Sequence, residues 1–300
     1  MISFSPRQLE AFAAVAMHGS VRAAAEHLHL TQPALSMALS ELERHLDTRV
    51  FDRERGRLRL NEQGRELLPR VREILDRMQA LQDWAGAVSG QLQGELNLGA
   101  SNTVGNYLVG ELVGDFVARH PQVTLQLRVA NTDAIVGDVL AHRLDLGCVE
   151  GPVTHPRLER LPWREDELVV CSRPDHPLAR RRRLRARDFN GMGWILREPG
   201  SATRALSETV LAQLPDANVV MELGQVEAIK QAVSAGLGIA CLPRVAVTEA
   251  ALAGRLAILD TPFLDMRRQL SLVMHKARYH GQVMRAFLES ALPEPDKPTP

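Results

Sequence analysis

The chain is short of several features that would assign it quickly. Its 300 residues hold three cysteines, Cys148, Cys171 and Cys241, far apart and without metal-ligand spacing. An odd, dispersed set excludes a disulfide framework and reads as buried thiols in a reducing compartment. No apolar run approaches the ~18 residues of a membrane span, and the opening "MISFSPRQLE" does not read as a signal peptide. A cytoplasmic protein is expected. Neither charge is in excess, with 36 Lys+Arg against 36 Asp+Glu, so no global field directs the chain to nucleic acid or membrane. A local basic face survives that balance, because five arginines stand against two acids between Arg49 and Arg59. No Ser/His/Asp set and no paired carboxylates are legible, so no enzyme is expected. Nor is a cofactor or metal. "AGLGIA" lacks the third Gly and downstream acid of a dinucleotide fingerprint. His27 with His29, and His275 with His280, lack partners at ligand spacing.

What is present has the size of about two domains and an ordinary globular composition, 45% hydrophobic and 24% charged. In "PRQLEAFAAVAMHG" the residues Leu9, Phe12, Ala13 and Ala16 share one helical face, and Gly19 is a stop. Ser20 is a good N-cap for "VRAAAEHL". Thr31 caps the next helix, with Pro33 in its first turn, where a missing N–H costs nothing. Along that helix Leu35, Leu39, Leu42 and Leu46 face a core, while Gln32, Pro33, Ser36 and Ser40 fall on the other side. Small and amide side chains suit close approach to base edges and phosphates. A short helix, a tight turn and a polar-tipped helix make a helix-turn-helix. Val50 and Phe51, then Leu58 and Leu60, flank a turn at Gly56 as a hairpin wing, with Arg53, Arg55, Arg57 and Arg59 placed for phosphate or the minor groove. Asn61 caps a long helix whose Leu67, Val71, Ile74, Met78, Leu81, Ala85 and Val88 form an a/d seam, a dimerisation signal.

The stretch "LEAFAAVAMHGSVRAAAEHLHLTQPALSMALSELERHLDTRVFDRERGRLRLNEQG" resembles the winged helix-turn-helix of LysR-type transcriptional regulators, and the resemblance extends over the whole chain. Asp47 stands where Gly is common, and Asn61 and Gln63 replace the usual Thr and Ala before Gly64. The resemblance implies that Ser20, Thr31, Gln32, Pro33, Ser36 and Arg53 contact DNA. Its partners are then promoter DNA, a small-molecule effector, further copies of the chain in a dimer or tetramer, and RNA polymerase.

Beyond the long helix, "GELNLGAS" and "VTLQLRVA" alternate with period two as strands. The order β-α-β-α-β that follows predicts a parallel sheet with covered faces, and a second βα series begins after "LPWREDELVV". This looks like the family's two-lobed α/β effector domain, which resembles periplasmic binding proteins. The expected division is 1–61 winged helix-turn-helix, 62–91 linker helix, 92–163 with 267–292 as lobe I, 164–266 as lobe II, and a disordered tail at 293–300. Crossings between lobes are expected near Leu161–Arg164 and Leu264–Arg267.

Two loops open helices with hydroxyls and backbone N–H groups: Ser101-Asn102-Thr103, and Gly200-Ser201-Ala202-Thr203 within "REPGSATR". Such termini facing one cleft make an anion site. The family places its effector there, adding Thr132 and the turn at Gln225–Val226. "EPGSATR" resembles the "EPGSGTR" of the subgroup holding sulfite, cysteine-metabolism and carbon-fixation regulators. The hydroxyl-rich, aromatic-poor lining favours a small oxyanion such as sulfite or sulfate; a small carboxylate or phosphorylated metabolite is the alternative. Glu150 opposes an oxyanion if it faces the cleft unpaired. A protonated ligand such as bisulfite, or a Glu150–Arg204 pair, would remove that conflict. Rival readings are a solute-binding receptor, and an architectural repressor with a vestigial cleft.

Overall fold

The computed structural model describes residues 4–54, 57–86 and 92–292. Three helices open it: α1 (Pro6–His18), α2 (Val21–His27) and α3 (Gln32–Leu46). Gly19 ends α1 in the left-handed region and donates to the Val15 carbonyl. Asp47 does the same for α3 at φ 50°, which explains why Gly is the common residue there. Ser20 and Thr31 accept from Ala23 N at 3.2 Å and Ala34 N at 3.3 Å, caps worth about 1 kcal/mol each. The strands β1 (Phe51–Glu54) and β2 (Arg57–Leu60) pair antiparallel as the wing, with Arg53 opposite Leu58. The wing tip, Arg55 and Gly56, lies outside the described residues.

The core of this module differs from the pattern expected for its first helix. Leu9 and Phe12 are buried, Ala13 and Ala16 only half so, while Ala11, Ala14 and Val15 are buried as well. The cause is enclosure, because α1 packs against α2, α3 and the long helix α4 (Glu62–Gly86). Asn61 caps α4 through Gly64 N at 2.8 Å and donates back to the Arg49 carbonyl. The seam on α4 serves two purposes along its length. Val71 is buried in the core of the amino-terminal module and Leu67 packs against it. Ile74, Met78 and Leu81 remain exposed. Val88 lies outside the described residues, as do the Ala85 side chain and the 293–300 tail.

The effector domain is built on strands β3 (Gly94–Ser101), β4 (Val123–Ala130), β5 (Leu146–Glu150), β6 (Leu158–Ser172), β9 (Ala240–Pro243), β10 (Ala257–Ile258) and β11 (Arg267–His275). Their order is β10-β6-β11-β5-β3-β4, with β9 also on β6. The sheet is mixed rather than parallel: β3 pairs parallel with β4 and β5, but β11 runs antiparallel to β5 and β6. The parallel half follows from its crossovers. The antiparallel half arises because β11 returns from the second lobe. Helices α5 (Val109–Arg119), continuous with a π-helical stretch at Val104–Leu108, and α10 (Gln282–Ala291) cover one face of lobe I. Helix α6 (Thr132–Leu140) covers the other.

The residues Leu161–Arg164, where the first crossing is expected, are in strand conformation. They lie inside β6, a single 15-residue strand. This strand pairs with β11 through Glu167 and with β9 from Leu168 onward. Lobe II completes itself with β7 (Gly193–Arg197) parallel to β8 (Asn218–Leu223), and with α7 (Ala202–Leu211), α8 (Val226–Ser234) and α9 (Arg244–Leu252). The "AGLGIA" segment is the α8-to-β9 turn, with Gly236 at φ 80°. The three cysteines are buried and free.

Candidate functional site

Two surfaces bear on function. On α3 the core side is Leu35, Leu39 and Leu42, all buried. Gln32, Pro33, Ser36 and Ser40 are exposed along the opposite side, with Thr31 at the cap. Met37 also stands on the exposed surface, at 64% exposure. In the sequence it is indistinguishable from an ordinary apolar helix residue, yet a flexible thioether can contact a thymine methyl in the groove. Ser20 is half-buried and spends its hydroxyl on the α2 cap. Arg53 and Arg57 occupy positions on the two wing strands, beyond the end of α3 in the chain.

The second surface is the junction of the lobes, and its centre is a cation that the residue patterns of the two loops do not reveal. Arg268, from β11, is almost fully buried. Its Nε donates to Asp166 Oδ2 at 2.7 Å, its Nη1 to Thr203 Oγ1 at 3.0 Å and its Nη2 to Thr103 Oγ1 at 3.1 Å. Glu150 Oε1 lies 3.8 Å from Nη2. Thr103 precedes the first lobe I helix and Thr203 sits in the first turn of α7, so one guanidinium ties both lobes together. A signal for it existed. In "RRQLSLVMH" the period of two puts Arg268 on the side of Leu270, Leu272 and Met274, all core residues. A charge on that face needs buried partners.

Glu150 closes β5 and turns inward. Its Oε2 accepts from Thr132 Oγ1 at 3.0 Å. Burial raises its pKa, but the Arg268 charge and the hydroxyls of Thr103, Ser101 and Thr132 outweigh burial and hold it below the usual carboxylate value. The hydroxyls read from sequence as anion ligands therefore already serve an internal carboxylate. The suggested Glu150–Arg204 pair does not form. Arg204 is held instead by Glu208, Glu222 and the Arg197 carbonyl.

Beside this network an open pocket is lined by Thr132, Glu150, Gly200, Ser201, Ala202 and Arg204, among others. Ser201 opens α7 but its hydroxyl makes no capping bond. Gly200 has φ 85°, and a Cβ there would lie 3.2 Å from Asp133, so the loop needs glycine for both backbone and space. The lobes meet here. Asp133 N donates to the Gly200 carbonyl at 3.1 Å, and Asn131 Nδ2 donates to Glu198 and Pro199 at 3.3 Å. Tyr107 bridges the lobes elsewhere by donating to Glu227. The structure does not bring every expected residue to this pocket. Asn102 is buried outside its lining. Gln225 is an exposed N-cap without a side-chain bond, and Val226 is buried in the lobe II core because its side chain packs inward from α8.

An exposed recognition helix and wing, joined by a long helix to two lobes around a polar cleft, define a DNA-binding regulator with a sensor domain. The chain belongs to the LysR family: residues 6–65 match the family model "Bacterial regulatory helix-turn-helix protein, lysR family", and residues 89–295 match "LysR substrate binding domain". It is 37% identical over 284 residues to the HTH-type transcriptional regulator YeiE of Escherichia coli K12, covering 94% of this chain and 95% of that one. It is 35% identical to CbbR of Rhodospirillum rubrum, covering 97% and 99%. Among solved structures, a full-length OxyR variant of Pseudomonas aeruginosa superposes with a TM-score of 0.79 at 23% identity, covering 97% and 95%. The Synechocystis CcmR regulatory domain in complex with 2-PG gives 0.62 at 30% identity, covering 67% of this chain and 96% of that one. The protein is thus a DNA-binding LysR-type transcriptional regulator with an effector-binding domain. No helix among the described residues is long and apolar enough to cross a membrane.

Proposed function

We propose that the cleft senses a small oxyanion that carries a proton or hydroxyl, with bisulfite as the type case. The observation that carries this is the charge of the buried network, one guanidinium facing two carboxylates, Glu150 and Asp166. A fully deprotonated dianion placed beside Glu150 would add repulsion where water cannot screen it. A ligand that donates to Glu150 and accepts from Ser201 and the α7 N-terminus avoids that cost. A second reading, a phosphorylated small carboxylate, is favoured by the 2-PG held by the CcmR domain.

The DNA contacts we assign are Thr31, Gln32, Pro33 and Ser36 to the major groove, with Ser20, Arg53, Arg55 and Arg57 on phosphate or minor groove. The exposed Ile74, Met78 and Leu81 stripe is assigned to a second copy, since two recognition helices need a twofold partner. The protein would work in the cytoplasm as a homo-oligomer.

A thermal-shift panel tests the sensor reading, with sulfite, sulfate, thiosulfate, phosphate, 2-PG and small carboxylates on the full chain. A true ligand at 100 times its dissociation constant adds about 2.7 kcal/mol of stability. The expected result is a shift with sulfite that grows as pH falls toward 6 and is lost in Ser201→Ala with Thr132→Ala. A shift with 2-PG alone selects the second reading, and no shift with any anion removes both.

A further inference from the structure

Charged side chains meet where α4 of the amino-terminal module lies against lobe I. The module's apolar cluster, described residues from Phe4 to Leu75, and that of lobe I, from Leu92 onward, have no member in common. Between them lies an ionic joint. Arg278, in the segment after β11, pairs with Asp145 of lobe I and stands 4.0 Å from Asp76 of α4. Asp145 is anchored in turn, accepting from Asn97 N at 2.8 Å while its own N–H donates to the Asn97 carbonyl. Arg77 of α4 stacks over the Tyr279 ring at 5.0 Å. Arg72 of α4 completes the group; burial and the neighbouring Arg278 push its guanidinium down to about 10, against the pull of Asp145 and Asp76.

The position of this joint in the sheet is what gives it meaning. Asp145 immediately precedes β5, and β5 ends at Glu150 in the cleft. Arg278 follows the end of β11 by three residues, and β11 opens with Arg267 and Arg268, the latter in the cleft. The two strands pair directly, with Leu270 opposite Glu150 and Val273 opposite Gly147. The same two-strand ladder is therefore bracketed by an ion pair at each end, Glu150 with Arg268 and Asp145 with Arg278. At about 3.3 Å per residue it spans on the order of 17 Å, and a short turn of two residues separates its β11 end from Arg278.

We propose that Arg278 is the positioning residue that sets the DNA-binding module on lobe I, and that the β5–β11 ladder couples its grip to the Glu150–Arg268 pair in the cleft. A shift in the cleft pair changes the stagger of two hydrogen-bonded strands, and the stagger is felt at the far end as a change in the distance between Arg278, Asp145 and Asp76. That coupling is a two-state bias on the docking of α4, as an energetic link between sites requires.

The test needs no effector, so its outcome is independent of which ligand the cleft takes. Glu10→Cys and Thr124→Cys place spin labels on exposed sites of α1 and β4, the three native cysteines being buried. Labelled full-length chain is diluted into excess unlabelled chain, and the intramolecular distance distribution is read by electron–electron resonance. Arg278→Gln and Asp76→Asn should broaden and lengthen the distribution, and Arg278→Lys should restore most of it. Glu150→Gln, at the other end of the ladder, should shift it as well. Asp76 belongs to α4, so its replacement leaves lobe I intact and separates undocking from misfolding; an unchanged melting transition of lobe I checks that. A distribution indifferent to Arg278→Gln and Asp76→Asn overturns the proposal. So does a response to those two with none to Glu150→Gln, because the ladder would then carry nothing.

Discussion

Arg268 pairs with Asp166 and faces Glu150, a carboxylate that burial would otherwise push toward its neutral form. Replacing it with Leu leaves Glu150 and Asp166 buried without a cation, a loss of about 3–5 kcal/mol. The change should also invert a pH dependence. In the native protein the Glu150 pKa lies below its ordinary value, so its contribution to stability is full above that value and lost as pH falls through the folded pKa. Without Arg268 the largest influence on Glu150 is burial, which raises the pKa, so mild acid should recover part of the lost stability. Thermal unfolding of Arg268→Leu between about pH 7 and 4 checks this; a variant that only weakens in acid contradicts it. The residues of the cleft are half legible in the sequence. Thr103, Thr132, Glu150 and Thr203 stand out as polar groups at strand ends and helix starts. Their partner cannot be paired with them in advance, because Arg268 reaches the cleft only through a strand that returns after the whole of lobe II.

Elements follow local chemistry closely where caps and turns decide, and less closely where tertiary pairing does. Asn61, Thr31 and Gly19 act as their types predict. Gly64, in the first turn of α4, is required by space rather than backbone angle: a Cβ there would lie 2.1 Å from the Val50 carbonyl oxygen and 2.8 Å from Leu60 Cδ2. Gly64→Ala should therefore cost about 1–3 kcal/mol despite the better helix propensity of alanine, and should loosen the wing where it meets α4. Denaturant titration measures the first effect and amide exchange at Phe51 and Leu60 the second. On α3, Ser36→Arg and Gln32→Ala should each weaken sequence-specific DNA binding with the fold unchanged; intact footprints in both variants would remove these residues from the contact surface. The long strand β6 is the element least visible in the sequence. "LERLPWREDELVVCS" mixes Pro, charges and apolar residues because its two halves serve different lobes with different faces covered. No single periodicity describes it.

At the scale of the whole molecule, the joint between module and lobe contains histidines as well as arginines. His142 and His275 lie ring against ring at 4.2 Å, both buried, beside the space under α4. Burial comes first, then the charges of His275, Arg72, Arg278 and Arg157, in pulling His142 down to about 3. A histidine depressed from 6.5 favours the folded, docked state only while neutral. That state should lose stability steadily as pH falls below about 6.5 and on toward 3. His142→Gln should flatten the slope in a melting-temperature series, and an unchanged slope would place the dependence elsewhere.

The threading of β6 and β11 through both lobes has a further consequence, for the order in which the protein comes into being. A ribosome delivers β3, β4 and β5 early, but the strand that lies between β5 and β6 is β11, which follows the whole of lobe II in the chain. Lobe II, by contrast, has all its strands once Ile258 has emerged. The later half of the domain is thus equipped to fold first. The earlier half must wait, its apolar sheet face open to chaperones or to aggregation, until β11 is made.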